Sequence, residues 1–354
     1  MGKFGTLSVL EDLATVNDPV AGNEEDIARR FNQALDIHNE LLADMMTPLA
    51  TFTDQAQLPY GGADAAIMQE VDEWGTADAS KAAALGNLGF PLRVYESTVQ
   101  WTRLYFESVS VAELAAQLDA HALADIQNVY RVLRRVIFVP TNTTGYIDRR
   151  QTKLTYDLKA LLNADGQAIP TGINGTTFDG SSHTHYLANA TLTAAAVQGL
   201  IDTVVEHGVD GEIRVFINKA DEATVRGFTG FAPYLDARVT VTGAAQIGNQ
   251  ALDVANPDNR AIGVFGGAEI WVKPWVPANY QVALDVGGAV KPLAVRTRTG
   301  GFTGTGAYAI RAEHEHYPLR ARHLGREFGV GVIGRHKAAV LRSNNASYAI
   351  PSGL

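Results

Sequence analysis

Three features of the sequence predict an α+β fold. Two long amphipathic helical patterns occupy residues 23–46 and the stretch from Ser110 to Pro140. Strand signals dominate from residue 281 onward. The one glycine pattern that could open a βαβ unit, GVGVIG at 329–334, has no room behind it for a helix and no acidic residue to hold a ribose. It reads instead as a glycine-bearing final strand.

Composition narrows the class further. Apolar residues make up 46% of the 354-residue chain and charged residues 19%, the proportions of a soluble globular protein that divides into two or three compact regions. Cysteine is absent, which excludes disulfides, thiolate catalysis and sulfur-ligated metals. No run of about 18 apolar residues occurs, so no membrane partner is expected. The N-terminus carries no signal-peptide pattern, and the expected setting is a cytoplasm or a particle built there. The net charge of −9 is unevenly placed. Residues 1–56 hold ten acids against Lys3, Arg29 and Arg30, whereas 311–342 carry seven Lys/Arg against Glu313, Glu315 and Glu327. An acidic chain gains little from counterion release, so contact with DNA should be local and weak.

In chain order, the first helix runs NEEDIARRFNQALDIHNELLADMM, with Asn23 as cap, acids in its first turn and Pro48 as its stop. Ile27, Phe31, Leu35, Leu42 and Met45 form its apolar stripe, and the polar leader before it suggests an arm. Residues 65–74 and 91–107 both favour strand and flank a small-residue stretch with glycines at 75, 86 and 89. The expectation is a long hairpin over 57–109 with a loose tip, which needs something to lie against. Ser110 then opens the second helix, with Glu113 placed to complete a capping box. Leu114, Leu118, Ala122, Ile126, Val129, Leu133 and Val136 carry its stripe, a strut of roughly 40 Å. Residues 141–190 read as a Thr/Gly/Asn-rich variable region. A helix at about 192–207 ending on Gly208 as C′ follows, then a buried strand at 212–218 and a short helix near 220–227. AIGVFGGAEIWV reads as a hairpin turning at Gly266-Gly267, and QVALD, PLAVRTR, AYAIRAEHEHY and GVGVIGRHKAAVLR read as strands.

Two His-x-His pairs raise the question of a metal. His314 and His316 share one face of a predicted strand, and His183 and His185 lie in a Ser/Gly/Thr loop where nothing in the sequence fixes their spacing. Neither pair is expected to bind a functional metal, and His121 is expected to be a packed core histidine. No Walker A loop, nucleophile elbow or HExxH motif is present. No catalytic residue, cofactor-binding residue or cofactor is assigned.

The order of parts resembles the major capsid protein of tailed bacteriophages, with its Hong Kong-type fold. FPLRVYESTVQWTRLYFESVSVAEL (90–114) resembles the family's outgoing hairpin strand entering its spine helix. FGGAEIWVKPWVPANYQVALD (265–285) resembles the axial hairpin, and GREFGVGVIGRHKAAVLR (325–342) the closing strand. The resemblance implies an N-terminal arm (1–56), an extended β-hairpin loop (57–109) and a peripheral domain with spine helix (110–150, completed by 291–354). A variable loop region (151–190) and an axial domain (191–290) complete the division. It implies a non-enzymatic shell protein of the virion, assembled in the host cytoplasm, that meets itself in hexamers and pentamers around double-stranded DNA. A scaffolding protein, a portal and a decoration protein are the implied partners. Trp74, Lys81, Val94, Tyr95, Trp101 and Tyr105 are the implied assembly contacts. Lys81 is the loop's only lysine, but no crosslinking partner can be matched to it. An encapsulin-like compartment enclosing cargo enzymes is the alternative, and a metal-dependent hydrolase built on the His-x-His pairs a distant one.

Overall fold

A computed structural model describes residues 24–354 apart from 61–69, 72, 76–85, 151–152, 173, 209–210, 237–250, 253–256, 303–305 and 317–318. Five helices are described: α1 (Glu24–Met46), α2 (Arg103–Ser108), α3 (Val111–Phe138), α4 (Ala194–Val205) and α5 (Glu222–Arg226). The strands of the first half are β1 (Ala50–Thr53), β2 (Gln57–Tyr60), β3 (Gly86–Gly89), β4 (Arg93–Thr102), β5 (Thr143–Ile147), β6 (Thr155–Leu158) and β7 (Tyr186–Ala188). Those of the second half are β8 (Ile213–Ile217), β9 (Ala232–Pro233), β10 (Leu235–Asp236), β11 (Ala251–Leu252), β12 (Arg260–Phe265) and β13 (Ala268–Val272). They continue with β14 (Tyr280–Asp285), β15 (Leu293–Arg296), β16 (Ala309–His316), β17 (Leu319–Val332) and β18 (Ala338–Arg342).

Two sheets hold twelve of these strands, and β2–β3, β5–β6 and β10–β11 form separate pairs. The smaller has the order β1-β15-β17-β16, with β4 also paired to the long β17. The larger has the order β7-β18-β14-β8-β13-β12-β9. The helix predicted between Ser110 and Pro140 is α3, about 42 Å long at its 28 residues. Its capping box is complete: Ser110 Oγ accepts from the Glu113 N–H, and Glu113 accepts from the Ser110 N–H at 3.2 Å. The stripe from Leu114 to Leu133 is buried, and Ile137 and Phe138 extend it to the helix end. The second half of α3 packs on Leu293, Val295, Phe328 and Val330 of the smaller sheet and on Val282 and Leu284 of the larger, so one core joins both sheets. The hairpin at Gly266-Gly267 is β12–β13; both glycines have positive φ, +59° and +82°, as a tight primed turn requires.

Several sequence expectations need correction. The helix α1 is no loose arm: Ile27, Phe31, Ala34 and Leu35 join one core cluster and Leu42 and Met46 another, while β1 pairs in parallel with β15. Asn23 lies outside the described residues. The long hairpin is replaced by a short one, β2 against β3, because β4 finds its partner in β17 over ten residues, from Thr102↔Leu319 to Arg93↔Phe328. The proposed first strand of that hairpin, 65–74, lies mostly outside the described residues. GVGVIG is not in the final strand: β17 ends at Val332, the chain turns at Gly334, and β18 enters the other sheet. Its glycines serve close approach, since a Cβ on Gly329 would stand 1.9 Å from the Pro91 carbonyl oxygen, and one on Gly331 would stand 2.7 Å from the Phe90 ring. Because β7 and β18 belong to the larger sheet, segments 151–190 and 291–354 each supply a strand to the region assigned to 191–290. Gly208 turns the chain at φ +86°, one residue later than C′, as Glu206 is the C-cap of α4.

Candidate assembly surface and histidine cluster

The six expected assembly residues fall into three groups. Trp74 is 87% exposed at a turn, its indole N–H donating to Glu73 at 2.8 Å. Lys81 lies outside the described residues. The other four sit on β4 and α2, where alternation along β4 turns Val99 and Trp101 inward. Trp101 is buried among Ile27, Phe31, Leu114 and Leu324, and its indole N–H donates to Gln117 at 2.9 Å. Tyr105 is half-buried against the same cluster and accepts from the Gln117 amide. Tyr95 is half-buried, with its ring 5.3 Å from that of Phe328, and Val94 is half-buried beside it. Trp101 therefore finds its cover within its own chain, because pairing with β17 lays β4 over α1 and α3. Sequence reading missed Leu104, 75% exposed on α2, and Val71, 49% exposed beside Trp74. Strand alternation hid Leu104, since the chain becomes helical at residue 103.

A second feature contradicts the reading of His183 and His185 as unplaced loop residues. The backbone fixes both: the His183 N–H donates to the Asp179 carbonyl at 2.9 Å and the His185 N–H to that of Leu162 at 2.8 Å, while Val340 N–H donates back to the His185 carbonyl. Glu206 and His207, at the end of α4, complete a group whose ligand-type atoms all lie within 4.8 Å of one another. The Nε2 atoms of His183, His185 and His207 form a triangle with sides of 3.0, 3.2 and 3.0 Å. Glu206 Oε1 stands 3.5 Å from His183 Nε2 and 3.8 Å from His207 Nε2. His185 is fully buried and its Nδ1–H donates to the Ala338 carbonyl at 2.7 Å, which leaves Nε2 as a lone pair. The Phe178 ring packs 4.1 Å from that of His207.

Burial sets the electrostatics of the cluster. It holds His185 well below the ordinary imidazole value, an effect its carbonyl bond opposes and the neighbouring histidines reinforce. Burial, with His336 and His183 nearby, lowers His207 to about 3, and burial lowers His183 as well. Burial and the nearby Asp202 push Glu206 upward. The rings are uncharged near neutrality. The other pair, His314 and His316, lies on β16 opposite Ala321 and Leu319. His121 is half-buried, its Nδ1 3.0 Å from Ser97 Oγ, in keeping with a packed histidine.

No family model and no curated protein matches the sequence. Solved structures do. A chain from Mycobacterium phage Patience matches with a TM-score of 0.67 at 21% identity, covering 91% of this chain and 89% of its own. Looser likenesses are the cyanophage A-1(L) capsid asymmetric unit (TM-score 0.48, 12% identity, 86% and 93% covered) and the native GTA particle capsid (0.47, 11%, 85% and 90%). The fold is the mixed helix-and-sheet, Hong Kong-type fold expected from the order of parts.

Proposed function

Taking the Hong Kong-type fold as premise, we propose that this chain is the major capsid protein of a tailed bacteriophage, which self-assembles into the icosahedral shell around double-stranded DNA. The observation that carries the reading is the match to the chain from Mycobacterium phage Patience across nine-tenths of both chains. The role is structural, without catalysis, and the place of work is the virion. The functional division adapts the resemblance to the fold: an N-terminal segment (1–56) anchored by α1 and β1, a loop region (57–109) whose β4 pairs with β17, a peripheral domain (110–150 with 291–354), a variable region (151–190) and an axial domain (191–290) whose sheet also takes in β7 and β18. Hexamers and pentamers of the chain are the building units, with scaffolding, portal and decoration proteins as further partners.

Trp74 and Leu104 support the reading as apolar groups that their own chain leaves exposed, at 87% and 75%. Singly, such side chains are ordinary. Two of this size, one at a turn between β2 and β3 and one on the helix after β4, suit contacts that neighbours complete, and many weak copies add up through effective concentration. A cleft of about 340 Å³ between α3 and β17, with Arg93, Arg131 and Arg135 on its rim, offers a cationic complement to the acidic N-terminal segment of a neighbour.

Negative-stain microscopy of the expressed full chain, alone and with a co-expressed scaffolding protein, tests this reading. Closed shells of uniform diameter are expected. A stable monomer under both conditions would overturn it, and native particles filled with enzyme instead of DNA would favour the encapsulin-like compartment.

A further inference from the structure

The histidine triangle cannot be satisfied by hydrogen bonds alone. Three Nε2 atoms make three close pairs, and each neutral Nε2 is either a donor or a lone pair. Whatever the tautomers, at least one pair sets donor against donor or lone pair against lone pair at about 3 Å. Because the Ala338 carbonyl fixes His185 Nε2 as a lone pair, the other two could both donate to it only by facing each other as donors at 3.0 Å. A cation at the centre removes the conflict, since all three lone pairs then point at it.

The dimensions fit one metal in particular. Tetrahedral zinc with Zn–N bonds near 2.05 Å separates its ligand atoms by about 3.3 Å. Five of the group's six edges, at 3.0, 3.2, 3.0, 3.5 and 3.8 Å, bracket that length. The bond from His185 Nδ1 to a backbone carbonyl is the outer contact that orients a metal-bound imidazole. Three imidazoles and a carboxylate suit zinc by ligand type and geometry. We propose that His183, His185, Glu206 and His207 bind one Zn²⁺ ion in a closed, four-ligand structural site. The ion clasps the 162–185 segment and the edge strand that follows it to the C-terminal end of α4. With all four positions filled by protein, no place is left for a reacting water. The proposal stands on the cluster itself and is independent of the shell reading.

The full chain, expressed with zinc in the medium and desalted, should hold about one zinc per chain by plasma mass spectrometry. Co²⁺ added to EDTA-stripped protein should give the intense visible bands of tetrahedral cobalt, and Zn²⁺ should raise the thermal midpoint of the stripped protein. His183→Gln and Glu206→Gln, at the two less buried positions, should keep the circular dichroism spectrum and weaken Zn²⁺ binding by about tenfold or more. Zinc-free parent protein with no cobalt bands and no midpoint shift on adding Zn²⁺ would overturn the site. Zinc retained unchanged in both variants would overturn the assignment of its ligands. Should either variant fail to fold, the cobalt spectrum of the parent decides alone.

Discussion

Beneath α3, the smaller sheet encloses a fully buried arginine: Arg326 donates to both carboxylate oxygens of Asp125 and, at 2.9 Å, to Asn39. His38 Nε2 lies 2.8 Å from the same Asp125, so α1, α3 and β17 meet in one polar network. Beneath α4, Val197, Leu200, Ile201 and Val204 form one apolar cluster with Val215, Ile217, Ile270 and Val272 of the larger sheet, and among the described residues no ion pair ties the helix to that sheet; the buried Asp221 accepts a hydrogen bond from Gln281 of β14 at 3.0 Å. Burying an ion pair seldom adds net stability, but it penalises every arrangement that separates the partners. The α3 side gains a fixed register for a helix brought in from far along the sequence. The α4 side, whose cluster draws on strands from β8 to the distant β18, rests mainly on apolar area.

The comparison breaks most visibly at Asp125. Asp125→Ala leaves Arg326 buried and uncompensated and should cost about 3–5 kcal/mol in chemical denaturation. Replacing Asp125 and Arg326 together by Leu and Met should cost much less; equal losses would refute the specificity argument. Acid offers a sharper version. Burial alone would raise the Asp125 carboxyl, but Arg326 and the His38 and Arg326 hydrogen bonds outweigh it and hold it below the ordinary value. A depressed carboxyl contributes stability above its unfolded pKa of about 3.9, lost as pH falls through the lower folded value. Hydrogen exchange in α1 and α3 should therefore accelerate in acid before that in β8 and β13, and simultaneous loss would count against the contrast.

On the apolar side, Ile270→Val should cost about 1 kcal/mol without changing the pH dependence. Ser110→Ala removes the cap of α3 and should cost about 1 kcal/mol, read as a shift in denaturation midpoint. The smallest effect on the subunit belongs to Trp74→Ser, within about 0.5 kcal/mol for so exposed a side chain. That variant should nonetheless lower the yield of shells, and an unchanged yield would remove Trp74 from the interface. Replacing 76–85 by a short Gly-Ser turn should act likewise, whereas a longer cut to 89 would remove β3 and its buried Leu88.

What could be read from the sequence was local. The capping box of α3, the Gly266-Gly267 turn and the buried β8 rest on spacings of a few residues, and the structure contains each of them. The pairing of β4 with β17 was not legible, because nothing in a strand's own pattern names a partner more than two hundred residues away. Arg296, Arg326 and Arg335 are fully buried, a placement that charge alone argues against and that only their assembled partners explain. The histidine cluster fell between these cases. His183-x-His185 was visible, but His207 is brought to it by the end of α4 and the turn at Gly208, which required the fold.

The same distant pairing has a consequence for how the chain is made. At about 5–20 residues per second, a ribosome needs roughly ten to forty seconds to travel from the end of β4 to the start of β17. Through that interval Val99, Trp101 and the apolar stripe of α3 lack the strand that covers them, and Asp125 awaits its arginine. Contacts this far apart also close slowly once both halves exist. Every nascent copy therefore passes through a period of exposed apolar surface while its siblings do the same nearby, so association between unfinished chains competes with folding.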